Sequence, residues 1–189
     1  RHPPLLHKMK NTLMFIAAAL IAGSTGYALQ QSLNQNPMPT QVQNNPAIGQ
    51  QRPEFAALDL DGELRNIKEW DGKIVFLNFW ATWCPPCLKE IPEFIELQNS
   101  YGDQGFQIIG LAIDDEEAVR QYVEEVGMNY PSLVVEADGI GLAKRFGNGI
   151  GALPYTVIIN RDGEISDTFR GELSKIRAKE LLKERGIHL

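Results

Sequence analysis

Residues 74–87 constrain this chain more than any other stretch. An apolar run, Ile74-Val75-Phe76-Leu77-Asn78-Phe79-Trp80, leads through Ala81-Thr82-Trp83 into Cys84-Pro85-Pro86-Cys87, and apolar residues then recur at Leu88, Ile91, Phe94 and Ile95. The first pattern is that of a strand buried on both faces, the second that of a helix with one apolar face. The only two cysteines of the chain therefore sit together at a strand-to-helix junction. Their spacing brings both sulfurs to one edge of the first helical turn, where free N–H groups and the positive end of the helix dipole favour a thiolate, the species that attacks disulfides. Such a pair reads as a thiol–disulfide redox centre. An inert pair and a zinc half-site are the alternatives. Zinc takes about four ligands, yet no second cysteine pair exists and His2, His7 and His188 lie at the chain ends, so no metal site is expected.

The 189 residues, 43% hydrophobic, suffice for one domain with extensions. All 24 acidic residues lie at or after Glu54, whereas four of the 18 Lys and Arg (Arg1, Lys8, Lys10, Arg52) precede it. Residues 54–189 thus hold 14 basic against 24 acidic groups, a net charge of −10. That surface repels phosphate, so no nucleic-acid partner is expected.

Residues 1–29 combine a basic start, with Lys8 and Lys10, and an apolar run from Leu13 to Ala22 that continues more weakly to Leu29. This is the pattern of a signal-anchor or a secretory signal peptide. The span Thr12 to Leu29 approaches the length that crosses a bilayer, while Gly26-Tyr27-Ala28 offers small residues for cleavage. Residues 30–53, rich in Gln, Asn and Pro with Arg52 as the one charge, read as a flexible linker reaching roughly 25 Å. A tether of that kind suits an anchored domain.

The globular pattern, residues 54–189, opens with a hairpin, Phe55 to Leu60 and Glu63 to Ile67 about Asp61-Gly62. After the helix that follows Cys84, in which Pro92 predicts a kink, come a buried strand from Phe106 to Ile113 and a helix capped by Asp114 and Asp115, with Val119, Tyr122, Val123 and Val126 on one face and Gly127 at its end. A short extended piece, Leu133 to Val135, a brief helix from Leu142 to Phe146, strands from Tyr155 to Ile159 and Glu164 to Arg170, and a basic amphipathic helix from Leu173 to Arg185 complete a mixed α/β order.

The segment Phe79-Trp80-Ala81-Thr82-Trp83-Cys84-Pro85-Pro86-Cys87, with Pro92 beyond it and Leu153-Pro154 before a strand, resembles the active-site strand and helix of the thioredoxin superfamily. Glu90, three residues after Cys87, and Asn78, where cytosolic thioredoxins carry a buried Asp, are similar to the TlpA/ResA-like branch, as are the N-terminal hairpin and the insertion between Phe106 and Phe146. The resemblance covers roughly residues 50–189. It implies a thioredoxin-like three-layer α/β fold with a central mixed sheet, a β-hairpin extension and a central insertion. It also implies a membrane-tethered thiol–disulfide oxidoreductase at the bacterial inner membrane, with its domain on the periplasmic or extracytoplasmic side; secretion after signal cleavage is the alternative.

By that resemblance Cys84 is the exposed nucleophile and Cys87 the buried resolving thiol, and the pair itself is the redox group, with no other cofactor. Glu90 relays the proton that Cys87 loses. Leu153 and a cis-Pro154 face the cysteines and bind an extended substrate segment, Trp83 shields the site and contacts substrate, and Trp80 is core. Asn78 receives no role, and Lys89 reads as a solvated lysine. The Pro85-Pro86 gap supplies no charge or donor, which favours a reductant over an oxidant. Expected partners are oxidised extracytoplasmic proteins, such as apocytochrome c or copper-site cysteines, and a transmembrane thiol relay as electron donor. A peroxide-reducing enzyme requires Pro-x-x-x-Thr-x-x-Cys, but Leu77 and Ala81 occupy those places. A copper metallochaperone wants a downstream His that the domain lacks. A disulfide isomerase wants a dimerisation domain, and none is visible.

Overall fold

The computed structural model describes residues 45–136 and 138–189. The apolar run from Leu13 and most of the linker lie outside the described residues; among those described, no helix is long and apolar enough to cross a membrane.

Strand β3 (Ile74–Trp80) is buried at every position and forms the middle of the molecule. It pairs in parallel with β4 (Phe106–Ala112) on one side and antiparallel with β6 (Tyr155–Ile159) on the other. β7 (Ile165–Arg170) follows β6 antiparallel, and β5 (Ser132–Val134) adds parallel to β4. The N-terminal hairpin, β1 (Ala56–Asp59) and β2 (Leu64–Asn66), then joins β5 antiparallel, giving the seven-stranded order β2-β1-β5-β4-β3-β6-β7. The insertion predicted between Phe106 and Phe146 is thus the device that carries the hairpin onto the sheet.

Among the described residues four helices cover the two faces. On one face Ile74, Phe76 and Ile108 pack against Phe94 and Leu97 of α1 (Pro85–Tyr101) and Leu181 of α4 (Lys175–Glu184). Trp80 and Ala112 meet Val119 of α2 (Glu116–Val126) on the same face. On the other face Leu77, Phe79 and Leu111 pack with Phe55 and with Ala143 of α3 (Asp138–Arg145). Alternate residues of β3 thus feed two cores, which is why its sequence shows no polar face.

Local chemistry sets the ends of these elements. Asp115 alone caps α2, its side chain accepting from the N–H groups of Glu117 and Ala118, and Gly127 closes the helix at φ 65°. α3 begins at Asp138, ahead of the stretch expected from apolar spacing. Gly139 weakens the helical pattern but permits the packing, since a Cβ there would lie 2.6 Å from Ile113 Cγ1 and 2.7 Å from Val135 Cγ2. Pro92 sits within α1 and leaves the Leu88 carbonyl without its helical partner; Tyr122 OH donates to that carbonyl at 3.4 Å.

Residues 45–53 correct the linker boundary. Asn45 and Ala47 are buried, and Asn45 Nδ2 lies within hydrogen-bonding distance of the Gly147 carbonyl (3.2 Å), Tyr155 OH (2.9 Å) and Thr168 Oγ1 (3.0 Å). Gly49 N–H donates to Ile165 O, Ile165 N–H to Gln50 O and Arg52 N–H to Gly163 O. Residues 45–53 are therefore packed on the domain rather than forming part of a flexible linker. Amide-rich composition reads as coil, but one buried amide with partners on three segments serves as a latch.

Candidate active site

β3 ends at Trp80, and the chain turns so that Cys84 N–H donates to Ala81 O at 3.3 Å. Cys84 is the N-cap of α1, extended at φ −105° and ψ 96°, with Pro85 and Pro86 opening the helix. Proline suits those positions because its fixed φ is helical and no N–H is lost to the ladder. Cys84 and Cys87 are joined by a disulfide with a Cα–Cα distance of 5.3 Å.

Two expectations about this turn need correction. Cys84 is only 5% exposed, against 0% for Cys87, because both belong to an apolar cluster with Trp80, Ala81 and Ile91, against which Leu153 packs. Free first-turn N–H groups are also missing. Pro85 and Pro86 have none, and Cys87 N–H and Leu88 N–H both donate to Cys84 O at 2.9 and 3.2 Å. The helix dipole acts on Cys84 here without N–H donors. Trp83 is 65% exposed beside the pair, while Trp80 is fully buried with Tyr122 at 5.5 Å between ring centroids.

Glu90 lies one helical turn beyond Cys87, a spacing that puts Cβ atoms about 5–6 Å apart. It is 0% exposed. Asn78 Nδ2 donates to its Oε1 at 2.7 Å and Leu173 N–H to its Oε2 at 2.9 Å; Asn78 Nδ2 also reaches Thr156 Oγ1 at 3.0 Å. Burial pushes the carboxyl up to about 7, the two donors offset part of that rise, and Glu172 and Glu93 add to it. Near neutrality this group gains or loses a proton inside the core, one turn from a cysteine. Lys89, exposed, pairs with Glu172 at 2.7 Å on the outer side of α1.

The Leu153–Pro154 peptide bond is cis, and Pro154 is buried. Pro154 O accepts from Gly171 N–H at 2.8 Å, and Asn148 Nδ2 donates to Ala152 O at 2.8 Å, so the flanks of this loop are braced. Leu153 N–H and C=O meet no partner among the described residues. The structure thus brings Cys84, Cys87 and Leu153 together, with Glu90 on the sheet-facing side of α1 and Trp83 on the rim.

A family model described as Redoxin matches residues 47–182. The thiol-disulfide oxidoreductase ResA of Bacillus thuringiensis is 34% identical over 179 residues, covering 93% of this chain and 97% of its own. The ResA of Halalkalibacterium halodurans is 35% identical over 136 residues, 71% of this chain and 75% of its own. Among solved structures, a thiol:disulfide interchange protein of the thioredoxin family from Chlorobium tepidum TLS has a TM-score of 0.67 at 28% identity, covering 74% of this chain and 97% of its own.

The chain belongs to the thioredoxin superfamily and is a ResA-like thiol–disulfide oxidoreductase.

In this ResA-like enzyme the sequence reading missed three site-building residues. Asn78 and Thr156 face each other across β3 and β6; Asn78 holds Glu90, and Thr156 holds Asn78. Asn78 is the one polar residue in the run Ile74 to Trp80, a visible signal, but its partner lies on the helix. Its position ahead of the helix predicts a capping role for Asp114 beside Asp115. Instead its Oδ2 accepts from Thr82 N–H at 2.9 Å and from Thr82 Oγ1 at 2.5 Å, tying the loop before Cys84 to the end of β4. A cleft of about 740 Å³ runs between β1, β5 and α3 and has neither cysteine in its wall. Among the described residues no group of three or more His, Cys, Asp or Glu is placed to hold a metal ion.

Proposed function

We propose that this oxidoreductase works as a reductant of disulfides in exported proteins, on the extracytoplasmic side of a bacterial membrane to which residues 1–29 anchor it. The observation that carries the reducing direction is the first turn of α1. Pro85 and Pro86 bring neither charge nor N–H, and the next two N–H groups are spent on Cys84 O. A thiolate at Cys84 is little stabilised there, so the dithiol gives up its electrons readily; strongly oxidising relatives of the fold do the opposite and stabilise the reduced form.

In the proposed cycle the Cys84 thiolate attacks one sulfur of the substrate disulfide. A Cys84–substrate bond forms, the substrate S–S bond breaks, and one substrate thiolate leaves. Cys87 then loses its proton to the Glu90 carboxylate and attacks Cys84 Sγ. The Cys84–Cys87 bond forms and the second substrate thiolate departs, so two electrons have passed from enzyme to substrate. Leu153 N–H and C=O, without internal partners, suit main-chain pairing with an extended substrate segment, and the exposed Trp83 covers the apolar approach. A cysteine pair outside the 740 Å³ cleft suits a polypeptide substrate more than a small molecule. Haem-attachment cysteines of an apocytochrome c, or copper-site cysteines, are the proposed clients, and a transmembrane thiol relay the proposed electron source.

Redox titration of the domain against glutathione tests the direction. The expected value lies near that of thioredoxin, about −270 mV; a value above about −180 mV, the isomerase level, contradicts a reductant.

A further inference from the structure

We propose that Asp114 is a positioning residue for the redox reaction: its carboxylate clamps the loop that delivers Cys84 and sets a fixed negative charge at the mouth of the cysteine pair, which disfavours the Cys84 thiolate. The contribution to reducing power rests on the direction proposed above.

Two ties join the loop after β3 to the loop after β4. Ile113 N–H donates to Trp80 O at 2.9 Å. Asp114 then takes both donors of Thr82 on Oδ2, and its Oδ1 accepts from Asp115 N–H at 2.9 Å. The carboxylate is held by neutral donors, and no Lys, Arg or His among the described residues pairs with it. Its neighbour Asp115 does the capping of α2, so a cap does not account for Asp114.

Thr82 precedes Cys84 by two residues, which limits the separation of their Cα atoms to roughly 7.6 Å. Cys84 N–H closes a turn onto Ala81 O at 3.3 Å, which draws the two Cα atoms inside that limit, and with the carboxylate 2.9 Å from Thr82 N the charge lies on the order of 10 Å from Cys84. Little opposes it. From α1 come Glu90, buried beneath the pair, and Lys89, occupied by Glu172 of the loop after β7. From the loop after β4 come Asp114 and Asp115, from the loop after β5 comes Glu136 beside them, and from α2 comes Tyr122, its ring tilted at 47° to Trp80. Ala152, Leu153 and Pro154 bring no titratable group. The first-turn N–H groups are absent or used. A negative charge facing an incipient thiolate raises the thiol pKa, and a less stable reduced form is the better reductant.

The pH dependence of Cys84 alkylation in the reduced domain tests this. Asp114→Asn keeps an oxygen for Thr82 N–H and removes the charge. It is expected to lower the Cys84 pKa by about half a unit, the size set by a unit charge on the order of 10 Å away at an effective dielectric constant of roughly 20 with salt present. The redox potential is expected to rise with it. Asp114→Glu, which keeps the charge, and Thr82→Val, which removes only the hydroxyl, are expected to retain the parental pKa. An unchanged pKa in Asp114→Asn overturns the proposal, as does an equal shift in Thr82→Val. If Asp114→Asn loses its fold by circular dichroism, Asp114→Ser carries the same expectation and the same refutation. The parent's absolute potential reports on the reducing direction, and the difference between parent and Asp114→Asn reports on Asp114, so either can fail alone.

Discussion

Glu90 makes the stability of the oxidised domain fall as pH rises, and Glu90→Gln should abolish that fall. The folded protein keeps this carboxyl protonated up to about 7 because it is buried, whereas the ordinary value is 4.5. The unfolded chain therefore releases the proton first, and folding loses free energy through the window between those values. The difference, roughly 2.5 pH units at about 1.4 kcal/mol each, corresponds to about 3 kcal/mol. Glutamine is neutral throughout. Its amide resembles the protonated acid but presents an N–H where Leu173 N–H or Asn78 Nδ2 now donates, a mismatch that costs about 1 kcal/mol at any pH. At pH 4 the variant should be slightly less stable than the parent; at pH 8 it should be more stable by about 2 kcal/mol, shifting the urea midpoint by about 1 M for a slope of roughly 2 kcal/mol/M. Carboxylates held low, such as Asp59, which accepts from Glu63 N–H and from Arg65, titrate alike in both proteins and cancel. Urea denaturation of both oxidised proteins at several pH values decides the matter. A parent–variant difference that stays constant from pH 4 to pH 8 refutes the assignment of a raised pKa to Glu90.

Asn78→Ala removes the donor to Glu90 Oε1, so the pH midpoint of that stability loss should move above about 7, at a stability cost of about 1–3 kcal/mol; an unmoved midpoint means Asn78 does not hold the carboxyl. Asn45→Ala should destabilise by about 1–3 kcal/mol and speed hydrogen exchange at the Gly49 and Arg52 amides; amides already unprotected in the parent would show that residues 45–53 are not docked. Gly139→Ala should cost about 1–3 kcal/mol, because its Cβ meets Ile113 and Val135 and the neighbours must move; an unchanged urea midpoint contradicts the close packing of α3.

The strand–helix junction around the cysteines was legible because its signals are local. A strand fed by two cores shows an unbroken apolar run, a helix shows its stripe, and two prolines after Cys84 start a helix without penalty. What could not be read depends on contacts distant in the chain. Asn78 stood out as polar within β3, yet only the packing of α1 on the sheet shows that it holds Glu90, and only the pairing of β3 with β6 brings in Thr156. Asp114 and Asp115 are adjacent acids ahead of a helix, and nothing in spacing tells which caps and which reaches back to Thr82. Asn45 lies in a tract whose composition is that of coil, and its partners are more than a hundred residues away. Gly139 weakens a helix locally and is required by the fit of that helix against Ile113.

The account depends on Cys84 attacking and Cys87 resolving. Cys87→Ser, incubated with an oxidised protein substrate and separated without reductant, should accumulate a mixed disulfide on Cys84, while Cys84→Ser should accumulate none. Peptide mapping that places the adduct on Cys87, or finds no adduct on either variant, would contradict it.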